Sequence, residues 1–68
     1  MARAYYTVEL GIGGLNTLFK LSEIDKKKVA VKALHRKKGW TFTLEGTDAD
    51  RFENVISGTS VPYTVDLR

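Results

Sequence analysis

Cysteine is absent from the 68 residues, histidine and proline occur once each, and no apolar run approaches the length of a membrane span. Without cysteine there can be no disulfide, no thiolate zinc centre and no cysteine nucleophile. The lone histidine, His35, stands beside Arg36, Lys37 and Lys38 with no neighbouring acid, so it reads as a solvated turn residue rather than a metal ligand or a base. Met1-Ala2-Arg3-Ala4 leads straight into Tyr5-Tyr6 with no apolar leader, and the expectation is a soluble, cytoplasmic protein that does not enter a membrane. Catalytic patterns are missing as well. No Ser, His and acid set or carboxylate pair falls in a recognisable motif, and Gly11-Ile12-Gly13-Gly14 lacks the third glycine of a dinucleotide fingerprint and the Gly-Lys-Ser/Thr ending of a phosphate loop. We therefore expect no enzyme activity, no metal and no cofactor.

What the chain does have is 43% hydrophobic residues and a net charge of only +3, which excludes disorder on composition. It is too short to divide into two cores, so residues 1–68 form a single domain. Tyr5 to Leu10 alternates, with Tyr6, Val8 and Leu10 on one face: a half-buried strand. Past the glycines, Leu15, Leu18, Phe19 and Ser22 recur at helical spacing and predict a helix over about 15–23. The competing reading makes Gly13-Gly14 a hairpin turn and 15–24 a strand, giving a mostly β domain, but it would mix Leu18 and Ile24 with Asn16, Lys20 and Ser22 on one face.

Alternation returns with Val29, Val31 and Ala33, and after the turn at 35–39 with Trp40, Phe42 and Leu44, predicting a hairpin. Thr47 and Asp50 have capping-box spacing before Phe52, Val55 and Ile56, predicting a helix that ends at Gly58. The acids Asp48, Asp50 and Glu53 then lie near its start, where negative charge complements the helix dipole. Val61, Tyr63, Val65 and Leu67 make a last strand.

Strand, helix, strand, strand, helix, strand is the split βαβ order of ferredoxin-like α+β domains: two layers, with both helices on one face of a four-stranded antiparallel sheet. The first and third strands would be central. Pro62, which cannot donate a ladder bond, and the lysines Lys28 and Lys32 would then fall in the two edge strands. The inward set includes the single Trp, all three Phe, Tyr6 and Tyr63, while Tyr5, Thr7, Glu9, Lys32, Leu34, Arg36, Thr41, Thr43, Thr64 and Asp66 occupy the open face.

Charge is unevenly spread. Residues 20–38 carry eight Lys or Arg against Glu23 and Asp25, a balance of +6, while residues 39–68 carry two against five, a balance of −3. A basic hairpin of this kind can track phosphates. Our leading expectation is a small non-catalytic nucleic-acid-binding module, DNA or RNA, that uses Lys26, Lys27, Lys28, Lys32, Arg36, Lys37 and Lys38, with Tyr5 as a stacking side chain on the open face.

Within this region Lys38-Gly39-Trp40-Thr41-Phe42-Thr43-Leu44-Glu45 partly resembles the first ribonucleoprotein motif of RNA-recognition domains, in Lys38, Gly39 and the two aromatics, with Glu45 in place of the last aromatic. In that family the aromatics face RNA. Here, outward Trp40 and Phe42 would drive Thr41, Thr43 and Glu45 into the core, so the aromatics are expected inward and the resemblance stops short of a stacking platform. Two alternatives from other classes stand beside the leading one. The first is a protein-interaction or homo-oligomerisation module that pairs through the open face or an edge strand, with the fourth strand preferred. The second is a small-ligand-sensing domain that uses Gly11 to Gly14. Marginal size itself favours a homo-oligomer.

Overall fold

A computed structural model describes residues 3–34, 36 and 38–67. Along the chain it places β1 (Arg3–Val8), α1 (Ile12–Leu21), a 3₁₀ turn (Lys26–Lys28), β2 (Lys32–Ala33), β3 (Trp40–Glu45), α2 (Gly46–Ile56) and β4 (Tyr63–Leu67). The strands form one antiparallel sheet in the order β2-β3-β1-β4, so β1 and β3 are central as expected and the arrangement is ferredoxin-like. The mostly β alternative is wrong, because the segment it made a strand is α1.

The hydrophobic stripe decides that segment. Leu15, Leu18, Phe19 and Ser22 are all buried, at i, i+3, i+4 and i+7. The helix nevertheless starts three residues earlier than its pattern predicts. Gly11 is its N-cap, and Gly13 and Gly14 belong to its first turn rather than to a loop. A Cβ at Gly14 would stand 2.9 Å from Leu10 Cδ1, the far end of a side chain that would have to turn aside. At the other end Glu23 adopts a left-handed φ of 58°, and the amides of Glu23 and Ile24 donate to the carbonyls of Lys20 and Phe19 at 3.1 and 3.0 Å. This is a Schellman stop with Glu where Gly is usual, and it turns Ile24 into the core.

The second helix corrects another expectation. Its N-cap is Glu45, with no side-chain capping bond, so the Thr47 box does not form. The chain enters α2 through Gly46 at φ 57°, a conformation that glycine allows without cost. Asp48 instead pairs with Arg51 at 2.5 Å, and Arg51 Nε donates to the Ser22 carbonyl at 2.9 Å, tying the first turns of α2 to the end of α1.

Between the helices and the sheet lies an aromatic core. Phe52 meets Tyr6 and Phe42 edge-on, with centroids 4.9 and 5.1 Å apart, and Phe19 meets Phe42 at 5.0 Å. These are favourable quadrupolar geometries on top of the burial itself. Phe42 is buried and Trp40 packs half-buried against the same cluster, so the inward register argued from the polar alternates is correct.

The largest departure is β2. The strand expected from Val29 shrinks to two residues, and the lysines before it wind into the 3₁₀ turn capped by Asp25, whose carboxylate accepts from the Lys27 amide at 3.0 Å. Val29 and Val31 still pack half-buried on the core, but Ala33 is exposed. At β4 the inward positions follow the predicted parity, since Tyr63, Val65 and Leu67 oppose Val8, Tyr6 and Ala4 of β1. The helices do not extend over them: Val65 is 40% and Leu67 73% exposed.

Candidate nucleic-acid interface

The predicted cationic residues reach the surface by two different routes. Lys26, Lys27 and Lys28 lie on the 3₁₀ turn, which stands over the Glu45 end of β3: Lys28 shares a shallow pocket with Thr43, Leu44 and Glu45. Arg36 and Lys38 lie in the β2–β3 turn at the opposite, Trp40 end. Lys32 sits between them on β2, opposite Thr41 and so on the open face. The chain from Lys28 to Lys38 thus runs along the outer side of β3 and lines one edge of the sheet with cations. His35, Lys37 and Arg68 fall outside the described residues.

Two features hold the turn end of this edge in place. The Leu34 amide donates to the Gly39 carbonyl at 3.0 Å, closing the loop, and Arg36 takes a left-handed φ of 67°. Gly39 is buried, and a Cβ there would stand 2.4 Å from the Val8 carbonyl oxygen and 2.5 Å from Leu34 Cδ1. No side chain fits. This is the physical reason for a glycine in the partial ribonucleoprotein-like octapeptide: the turn is pressed against β1.

At the 3₁₀ end Asp25, Glu45 and Asp48 line one pocket with Lys28, but no cation of this edge forms an ion pair among the described residues. The side-chain ion pairs among the described residues are Arg3–Glu45 at 3.1 Å and Arg51–Asp48, and both use cations from outside the basic segment. Lys27, Lys28, Lys32, Arg36 and Lys38 are exposed and Lys26 is half-exposed. Lys38 also lies against the start of α1, its Cε 3.4 Å from the place a Gly11 side chain would take. That helix has neither a capping side chain nor an acid in its first turn, so its positive end adds to the same side.

Tyr5 is on the open face, half-buried between Thr43 of β3 and Asp66 of β4. Thr64, Thr7, Thr41 and Lys32 form the next row across all four strands. The open face is thus hydroxyl-rich, carries acids at Glu9 and Asp66, and becomes cationic towards β2. The structure brings Lys32 onto it near Thr41, whereas the 3₁₀ lysines and the turn cations flank it at the two ends of the edge.

One polar network was not anticipated from the sequence. Glu53 of α2 accepts from the Tyr63 hydroxyl at 2.6 Å and, at a longer 3.3 Å, from the Tyr6 hydroxyl. Burial first, and then the negative charge of Glu53, push the Tyr6 phenol far above its ordinary range; the hydrogen bond to Glu53 raises that of Tyr63. Both tyrosines sit at inward positions, whose hydroxyls need acceptors, and that was the signal available. Among the described residues no three His, Asp or Glu side chains come close enough to hold a metal ion, and no helix is long and apolar enough to cross a membrane. No family model, curated protein or solved structure matches the chain.

Proposed function

We propose that this protein is a small non-catalytic nucleic-acid-binding module whose contact surface is the β2 edge: Lys26, Lys27, Lys28, Lys32, Arg36 and Lys38, with Lys37 between the last two in sequence and Tyr5 as a stacking side chain on the adjoining open face. The observation that carries this reading is the line of exposed cations along β3 without a carboxylate partner among the described residues. A strand of six residues is about 20 Å long, so the cations spread along it can reach several phosphates.

Neutralising about five phosphates gives a salt slope of about −4.5. Affinity for a labelled oligonucleotide, read by fluorescence anisotropy, should then fall about 500-fold between about 50 mM and 200 mM salt. The double variant Lys28→Glu, Lys32→Glu should weaken binding on all sequences alike and flatten the slope, while leaving the melting temperature in place. Duplex and single-stranded probes report the role of Tyr5: stacking on a base would make Tyr5→Ala costlier on the single strand. Binding that ignores salt, or survives charge reversal at Lys28 and Lys32 unchanged, would refute the reading.

A further inference from the structure

We infer that the β4 edge is a self-association surface, and that two copies of this chain pair β4 against β4 antiparallel about a two-fold axis at Val65, making one eight-stranded sheet. The hydrogen-bond phase of the sheet points there first. The Glu9 amide donates to the Pro62 carbonyl at 2.9 Å, and Glu9 and Pro62 stand in the same register as the β1–β4 ladder. Pro62, Thr64 and Asp66 therefore turn their backbone groups inward to β1, and Tyr63, Val65 and Leu67 turn theirs to the free edge. Two-fold centres at Thr64, Val65 or Asp66 all bring outward groups face to face; the centre at Val65 pairs Val65 with Val65 and Tyr63 with Leu67 of the second copy, and the side chains decide among the three.

Side chains select the same register. On the helix side it joins Tyr63, Val65 and Leu67 from both copies into one apolar strip, giving cover to Val65 and Leu67, which are 40% and 73% exposed in the single chain. On the open face it sets Thr64 across from Asp66 of the second copy. Shifting the axis to Asp66 would oppose two carboxylates, and shifting it to Thr64 would bring Pro62 into the pairing. The opposite edge is unsuited to this role, being two residues long and flanked by lysines. Because β2 and β4 lie at opposite sides of the sheet, pairing leaves the basic edge exposed, so this inference stands or falls separately from nucleic-acid binding.

The Val65 amide points away from β1, so proline at 65 removes a bond only from the pairing, whereas proline at Thr64 would break the chain's own ladder. Light scattering should give twice 7.6 kDa at micromolar concentration, unchanged in high salt. Val65→Pro should give 7.6 kDa with the helical circular dichroism intact, and Val65→Lys should do the same. The absence of cysteine provides a register test in an otherwise wild-type chain. Paired residues of this type stand about 5.5 Å apart, so Val65→Cys should cross-link to itself with a short bismaleimide, and Leu67→Cys, roughly four residues out of register with itself, should not. A monomer at every concentration, a dimer that Val65→Pro leaves intact, or cross-linking at 67 in preference to 65 would overturn the inference.

Discussion

The two edges of this sheet have met the same hazard in opposite ways. Every edge strand offers unpaired amides and carbonyls to another chain. At β2 the offer is withdrawn: three consecutive lysines wind into a 3₁₀ turn, two residues remain in the ladder, and one of them is Lys32. At β4 the offer stands, with five residues in regular pairing and Val65 and Leu67 uncovered. The two edges differ in charge as well as in length. Val29 and Val31 are good strand formers, yet with Lys26, Lys27 and Lys28 before them and Lys32 after, the segment keeps only its half-buried apolar contacts and gives up the ladder. On the reading proposed above, one edge meets a polyanion and the other meets a strand.

The comparison can be broken at several points. The largest effect is expected where both edges hang on the shared core: Phe42→Ala empties a site in contact with Tyr6, Phe19 and Phe52 and should cost about 3–5 kcal/mol, enough to unfold most of a domain this small in chemical denaturation. Gly39→Ala should strike the β2 side through its turn. The new methyl meets the Val8 carbonyl and Leu34, and a loss of about 1–3 kcal/mol, or roughly 4–24 °C in melting temperature, is expected. Arg36→Gly should sharpen the contrast, because it relieves a left-handed φ and removes a cation at once: stability should rise by about 0.5–1 kcal/mol while oligonucleotide affinity falls.

The smallest effect is alkaline. The Tyr6 phenol is held protonated in the fold, so its contribution is complete below the unfolded value of about 10 and declines as pH rises above it, because the unfolded chain then releases a proton that the native chain keeps. Urea midpoints should fall above about pH 10, and Tyr6→Phe, costing within about 1 kcal/mol at neutral pH, should make that fall shallower.

Much of this was legible in the sequence because one face of each element is apolar and the other is not. The alternation of Trp40, Phe42 and Leu44 with Thr41, Thr43 and Glu45 determined which way the aromatics turn, and the spacing of Leu15, Leu18 and Phe19 separated helix from strand. Local boundaries were harder to read. The glycines before Leu15 read as a break because glycine is disfavoured in a helix taken alone, yet Gly13 and Gly14 lie in the first turn of α1. Val65 and Leu67 alternate like core residues, and no periodicity reveals that the helical layer stops short of them. On the candidate interface, the cations were identifiable one by one, but their division between a 3₁₀ turn and a hairpin end depends on how little of β2 survives. The acceptor for two inward tyrosines required knowing that Glu53 faces them.

Sedimentation velocity of the protein with a labelled short duplex, run at low and at high salt, tests the division of labour between the edges most directly. At low salt the label should sediment with the protein. At high salt the duplex should be free while the protein still sediments as a pair of 7.6 kDa chains. If the salt that releases the duplex also separates the chains, or if chain pairing is seen only when nucleic acid is bound, the two edges do not act independently and the account is wrong.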